Sequence, residues 1–221
     1  VNETIQGIEV VKYKKVNDRY YVFAVLNKAK YLSGLRVVLD QLWNRINSLV
    51  TNARKYANEG RIFAAIENYT DAQVYVIPFY TKKAFYDGLS PAPFFVTENI
   101  TLSELVSEVR NILTGVNIKV ASGDKQAAKA GGVLMEPISF YAYFKNAGKK
   151  VKIPIPNFPL TVKYEDGTVI ERGSTNADGV LESYVVALPI SSKYVKVYAR
   201  PNLARLPSVY KKHLKKAEGI A

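Results

Sequence analysis

Two hydrophobic periods divide this chain, one near 3.6 residues and one of two, and the change falls at Val116. Ahead of it, Leu32, Leu35, Leu39, Leu42, Ile46, Leu49, Ala53 and Tyr56 recur at alternating intervals of three and four. That is the stripe of a long amphipathic helix, widened by Val38, Trp43, Val50 and Ala57. Asn58-Glu59-Gly60 predicts its stop, because glycine readily takes the left-handed cap conformation. A second helix carries Ile62, Ile66, Tyr69, Val76 and Tyr80, with Pro78 removing one amide donor and inviting a kink. So short a connection makes the two helices antiparallel neighbours. Leu89-Ser90-Pro91-Ala92-Pro93 breaks the pattern. Thr101-Leu102-Ser103-Glu104 is then a capping box that opens a third helix, which Gly115 stops.

Before the helices, residues 4–13 and 20–27 read as two strands joined by a polar connection with an Asn17-Asp18 turn. In the second strand Tyr20, Val22, Ala24 and Leu26 face one way and Tyr21, Phe23 and Val25 the other. With both faces apolar, that strand is expected to be buried on both sides, which a lone hairpin cannot achieve. Its cover would come from the helices or from sequence upstream of Val1, since the chain enters directly on strand-like residues.

From Val116 the alternation is that of strands: Val116, Ile118 and Val120, then Ile138, Phe140, Ala142 and Phe144. Val151, Ile153 and Ile155 alternate with Lys152, Pro154 and Pro156, and the prolines suit an edge strand. Leu160, Val162 and Tyr164 run into an Asp166-Gly167 hairpin turn. Val180, Glu182, Tyr184 and Val186 follow a turn at Asn176 to Gly179, and Val195, Val197 and Ala199 come last. About seven short strands with regular turn signals predict an immunoglobulin-like sandwich. The expected fold is therefore α+β. Residues 1–115 form a β-hairpin and helical-hairpin module, 116–202 an antiparallel β-sandwich, and 203–221 a basic tail with a short helix from Val209 to Ala217.

Charge changes this picture at one end only. Of the formal +12, residues 193–221 hold +7, so the globular body is nearly balanced. A basic tail suits loose attachment to anionic lipid, wall polymer or nucleic acid, and it lacks the interleaved aromatic platforms of a nucleic-acid face. No apolar run approaches the roughly 20 residues of a membrane span.

Candidate chemistry is sparse. The chain has no cysteine, which excludes disulfides and thiolate metal sites. Its one histidine, His213, lies among Lys211, Lys212, Lys215 and Lys216, a poor setting for a general base. Of the carboxylate pairs Glu104/Glu108 and Glu165/Asp166, Glu104 is accounted for by its capping box, Glu108 by a solvent face one helical turn on, and Glu165/Asp166 by a hairpin turn. Asn176-Ala177-Asp178-Gly179 begins like a calcium loop, but the terminal glutamate spacing fails and a β-turn explains it. Neither Ser122-Gly123-Asp124-Lys125 nor Ala130-Gly131-Gly132 fits a phosphate-binding loop. No catalytic, cofactor or metal residue is assigned. Two candidate interaction features remain: the aromatic run Phe79, Tyr80, Phe85, Tyr86, Phe94 and Phe95, and the lysines Lys211, Lys212, Lys215 and Lys216. Packing within the module is the plain alternative for the first, and a solvated terminus for the second.

Gly7-Ile8-Glu9-Val10-Val11 and Arg19-Tyr20-Tyr21-Val22-Phe23-Ala24-Val25-Leu26-Asn27-Lys28, followed by the long helix, resemble a hairpin of the LPP lipoprotein and flagellar-assembly protein T family. The second half, with Thr175-Asn176-Ala177-Asp178-Gly179-Val180, is similar to bacterial immunoglobulin-like modules. The resemblance implies a non-enzymatic scaffold or assembly protein of the periplasm or outer envelope, with a protein partner or self-association. The family's lipid-bearing cysteine has no counterpart in these residues. The alternative expectation is binding of nucleic acid or another anionic polymer through the basic tail.

Overall fold

The computed structural model describes residues 8–145, 151–188, 194–202, 204 and 217–220. It is an α+β protein, with three helices and antiparallel sheets among the described residues. Strands β1 (Ile8–Val16) and β2 (Arg19–Leu26) lead into α1 (Lys28–Asn58), α2 (Ile62–Leu89) and α3 (Leu102–Gly115). Then follow β3 (Val116–Ser122), β4 (Ile138–Lys145), β5 (Lys152–Pro154), β6 (Pro159–Tyr164), β7 (Val169–Ser174), β8 (Val180–Ser183), β9 (Val197–Pro201) and β10 (Gly219–Ile220). The helical period does end at Gly115 and the pleated one begins at Val116.

The chain forms two compact units, Val1–Thr51 with Thr70–Leu105, and Asn52–Tyr69 with Val106–Ala221. This division differs from the expected one at 115/116, because both helices of the hairpin contribute to each unit. In the second unit, φ at Gly60 is +75°, and a Cβ there would lie 2.0 Å from the Pro154 carbonyl oxygen. The helical turn is thus seated directly on the strand region, where Phe63 stacks on buried Phe158 with ring centroids 5.6 Å apart. Hydrophobic periodicity locates a helix, but not which neighbour its turn will meet.

In the first unit Leu35, Leu39, Trp43, Ile46, Leu49 and Val50 of the stripe are buried, as are Ala72, Val76 and Phe79 on α2, whereas Val38, expected to widen the stripe, is exposed. Helix α2 runs on through exposed Pro78 to Leu89. The capping box forms as expected, with the Thr101 amide donating to Glu104 Oε2 (2.8 Å) and the Glu104 amide to Thr101 Oγ1 (3.2 Å).

The second unit holds two antiparallel sheets, one of order β3-β4-β5 with β8 also on β4, the other β10-β9-β6-β7. Strands β5 and β8 share the same edge of β4 end to end. They meet at Ala142, whose amide donates to Gly179 O while its carbonyl accepts from the Ile155 amide. Ile138, Phe140, Ala142 and Phe144 of one sheet and Leu160, Val162, Val197 and Ala199 of the other are all buried. The proline-bearing strand is short and at an edge, as expected. On β8 the buried face is Leu181, Ser183 and, beyond the strand, Val185, while Glu182, Tyr184 and Val186 of the alternating set are exposed.

The expectation that 203–221 is wholly a tail also fails. Gly219 and Ile220 pair with Ala199 and Tyr198, and Arg200 bonds Glu218 at 2.6 Å. Gly219 permits this because a Cβ there would come within 3.0 Å of Ile118 and 3.2 Å of Phe140. The Val209 to Ala217 helix falls almost wholly outside the described residues.

Candidate interaction surfaces

The aromatic run separates into a core and two exposed rings. Phe79, Tyr86 and Phe94 are buried. Trp43 and Phe94 lie 5.3 and 5.9 Å from the Phe79 centroid, and Tyr86 meets Phe94 edge-on at 6.1 Å. Phe94 is seated by Asp87, whose Oδ1 accepts the Phe94 amide at 2.7 Å while Oδ2 accepts from Lys83. Burial raises the Asp87 pKa, but the Lys83 hydrogen bond, the Phe94 amide and the Lys83 charge outweigh it and hold the carboxyl below its ordinary value of 3.8. Tyr80 donates to Asn99 Oδ1 at 2.8 Å, and its phenol is pushed up by burial and then by the Glu104 carboxylate. Phe85 and Phe95 are exposed. Lys211, Lys212, Lys215 and Lys216, with His213, lie outside the described residues.

The carboxylates do not converge. Glu104 is held in its capping box, Asp166 accepts the Thr168 amide, and Glu165 reaches Lys196 at 3.8 Å. Asn176 forms the expected turn, its Oδ1 accepting the Asp178 and Val180 amides. Among the described residues no three His, Cys, Asp or Glu side chains are placed to hold a metal ion.

The surface that sequence reasoning missed is on the β1-β2 hairpin. Asn17 and Asp18 take φ of +48° and +58°, the left-handed pair of a tight two-residue turn. From that turn the register runs Lys15↔Tyr20, Tyr13↔Val22, then past an unpaired Val11 to Val10↔Ala24 and Ile8↔Leu26. The bulge at Val11 shifts the phase of β1 by one residue. Without it, Lys12 and Lys14 would share a face with Ile8 and Val10. With it, Tyr13 joins Ile8 and Val10, and together with Tyr20, Val22, Ala24 and Leu26 they make one face without charge except Lys15 at the turn. Lys15 is paired to Asp18 at 2.9 Å and sits 5.7 Å over the Tyr20 ring.

The opposite face mixes Glu9, Lys12, Lys14 and Arg19 with Tyr21, Phe23 and Val25. Lysine stems can cover such rings while their ammonium groups stay in water. The hairpin is thus amphipathic rather than apolar on both sides. The expected burial of β2 is not found: every residue of both strands is exposed, and the large side chains of the apolar face are between 43% and 77% exposed.

Comparison with protein-family models, with curated proteins and with solved structures finds no match in any of the three.

Proposed function

We propose that this chain is a non-enzymatic scaffold or assembly protein of the cell envelope, and that it associates with a second copy of itself through the apolar face of the β1-β2 hairpin. The envelope setting, and the immunoglobulin-like character of the second half, rest on the sequence resemblance. The mode of association rests on one observation, the register around Val11. Two paired strands are marginal in water unless a face is covered. Here the uncovered face carries Ile8, Val10, Tyr13, Tyr20, Val22 and Leu26.

Area argues for a second copy. With about 200 Å² on each tyrosine and about 100 Å² on each aliphatic side chain, the exposed fractions leave about 500 Å² of apolar surface. Two such faces bury on the order of 1,000 Å², the lower end for a specific interface and consistent with micromolar affinity. A face whose one charged residue, Lys15, is paired to Asp18 at the turn suits isologous pairing, which sets the same surface of two copies against each other.

Sedimentation velocity over a concentration series up to about 100 µM tests this. Self-association should vanish in Tyr13→Lys, on the apolar face, and persist in Lys14→Glu, on the other. A monomer throughout, or equal effects of the two substitutions, contradicts the proposal.

A further inference from the structure

The outward face of β3-β4-β5 carries a row of side chains that the proposed association leaves unused. Tyr141 and Tyr143 alternate with the buried Phe140, Ala142 and Phe144, so both rings lie on the outer side of β4. They stack with centroids 5.2 Å apart and planes 20° apart. Lys119, the cross-strand partner of Tyr141, places its ammonium 5.5 Å from that ring centroid. Lys152, from β5, places its own 4.9 Å from the Tyr143 ring. Lys145 pairs with Lys152 across the strands and projects on the same side. The result is a ladder, Lys119–Tyr141–Tyr143–Lys152, crossing three strands with Lys145 beside it. The ion pairs formed among the described residues include none of these three lysines. The cation–π contacts hold the Lys119 and Lys152 ammonium groups beside the rings without neutralising them.

We infer that this ladder is a binding platform for an acidic glycan, a linear sugar polymer whose carboxylates meet the ammonium groups while the tyrosine hydroxyls bond its ring oxygens. The ladder itself selects this class of polyanion. A single-stranded nucleic acid binds by stacking bases on free aromatic faces. Here Tyr141 has Lys119 over it and Tyr143 stacked against it, and Tyr143 has Lys152 over it, so the rings are engaged by the ladder's own members. What the face offers is charge and hydroxyl donors. Burial, and then the neighbouring Tyr143, raises the Tyr141 pKa, so its hydroxyl remains protonated and able to donate at neutral pH.

The test is calorimetric titration of the whole chain with polygalacturonate at about 150 mM salt, with dextran and an oligothymidylate as comparison ligands. Binding to polygalacturonate should be retained when Lys211, Lys212, Lys215 and Lys216 are all changed to Gln. It should weaken about tenfold in Lys119→Gln/Lys152→Gln, the effect of losing two partly exposed charge contacts. Tyr143→Phe, which keeps the ring, should weaken it less. Dextran should not bind. Absence of polygalacturonate binding, an undiminished double variant, loss of binding in the tail variant alone, or tighter binding of oligothymidylate would each overturn the inference.

Discussion

The hydroxyl of Thr175 donates to the Ile155 carbonyl at 2.5 Å, and both residues are buried. The same oxygen accepts the Phe158 amide at 2.9 Å, while the Thr175 backbone bonds Asn157 and Phe158. One side chain thus clamps the bend between β5 and β6, where Asn157 takes φ of +55°. That bend presents Phe158 to Phe63. Thr175→Val keeps the volume but strands a buried carbonyl and a buried amide. It should cost about 1–3 kcal/mol in urea unfolding, against a few tenths for Thr168→Val at an exposed turn.

Glycines with the same backbone sign should differ in cost according to what surrounds them. Gly131 has φ of +79° and Gly167 +92°, both with open space where a Cβ would go. Their replacement by alanine should cost about 1 kcal/mol, the strain of a left-handed non-glycine residue. Gly60→Ala adds a collision with the Pro154 carbonyl and should cost about 3 kcal/mol or more, read as a fall in midpoint denaturant concentration.

Asp87 gives a pH dependence of definite sign. Its folded pKa lies below the unfolded value, so its contribution is fully present above the unfolded pKa and is lost as pH falls through the folded one. Stability of the wild-type chain should therefore drop below about pH 4. Asp87→Asn should be about 1–2 kcal/mol less stable at neutral pH and show a flatter profile through that acid range. A parallel profile for the two proteins would mean that the carboxylate's charge is not what seats Phe94.

These cases mark what was legible beforehand. The long stripe, Gly60, the Thr101–Glu104 box and the Asp166 and Asn176 turns are local, written within a few residues, and they appear where expected. The aromatic run was visible as composition. Its division into buried Phe79, Tyr86 and Phe94 and exposed Phe85 and Phe95 follows from tertiary packing. The hairpin face and the tyrosine ladder were hidden for a common reason: both depend on which residues lie opposite each other. Val10 and Tyr13 are three apart, a spacing that ordinary alternation puts on opposite faces, and only the bulge unites them. Lys119 and Tyr141 are far apart in sequence and become neighbours only through the β3–β4 register. The Asn17-Asp18 turn was readable, and pairing outward from it with one bulge allowed would have exposed the apolar face.

That bulge makes a further prediction. Deleting Val11 removes the unpaired residue but leaves Ile8, Val10 and Tyr13 on one face. Self-association should therefore survive the deletion. Duplicating Lys12 instead, with Val11 retained, leaves Tyr13 opposite Val22 but lets β1 pair without a bulge, which puts a lysine opposite Ala24 on the apolar face and should abolish self-association, as read by sedimentation.

The most direct measurement uses the natural absence of cysteine. Single thiols introduced by Val22→Cys and Phe23→Cys sit on opposite faces of β2, one residue apart. Treatment with a short bis-maleimide should yield covalent dimers from Val22→Cys and leave Phe23→Cys monomeric. Equal cross-linking of the two, or dimers from Phe23→Cys alone, would contradict the account.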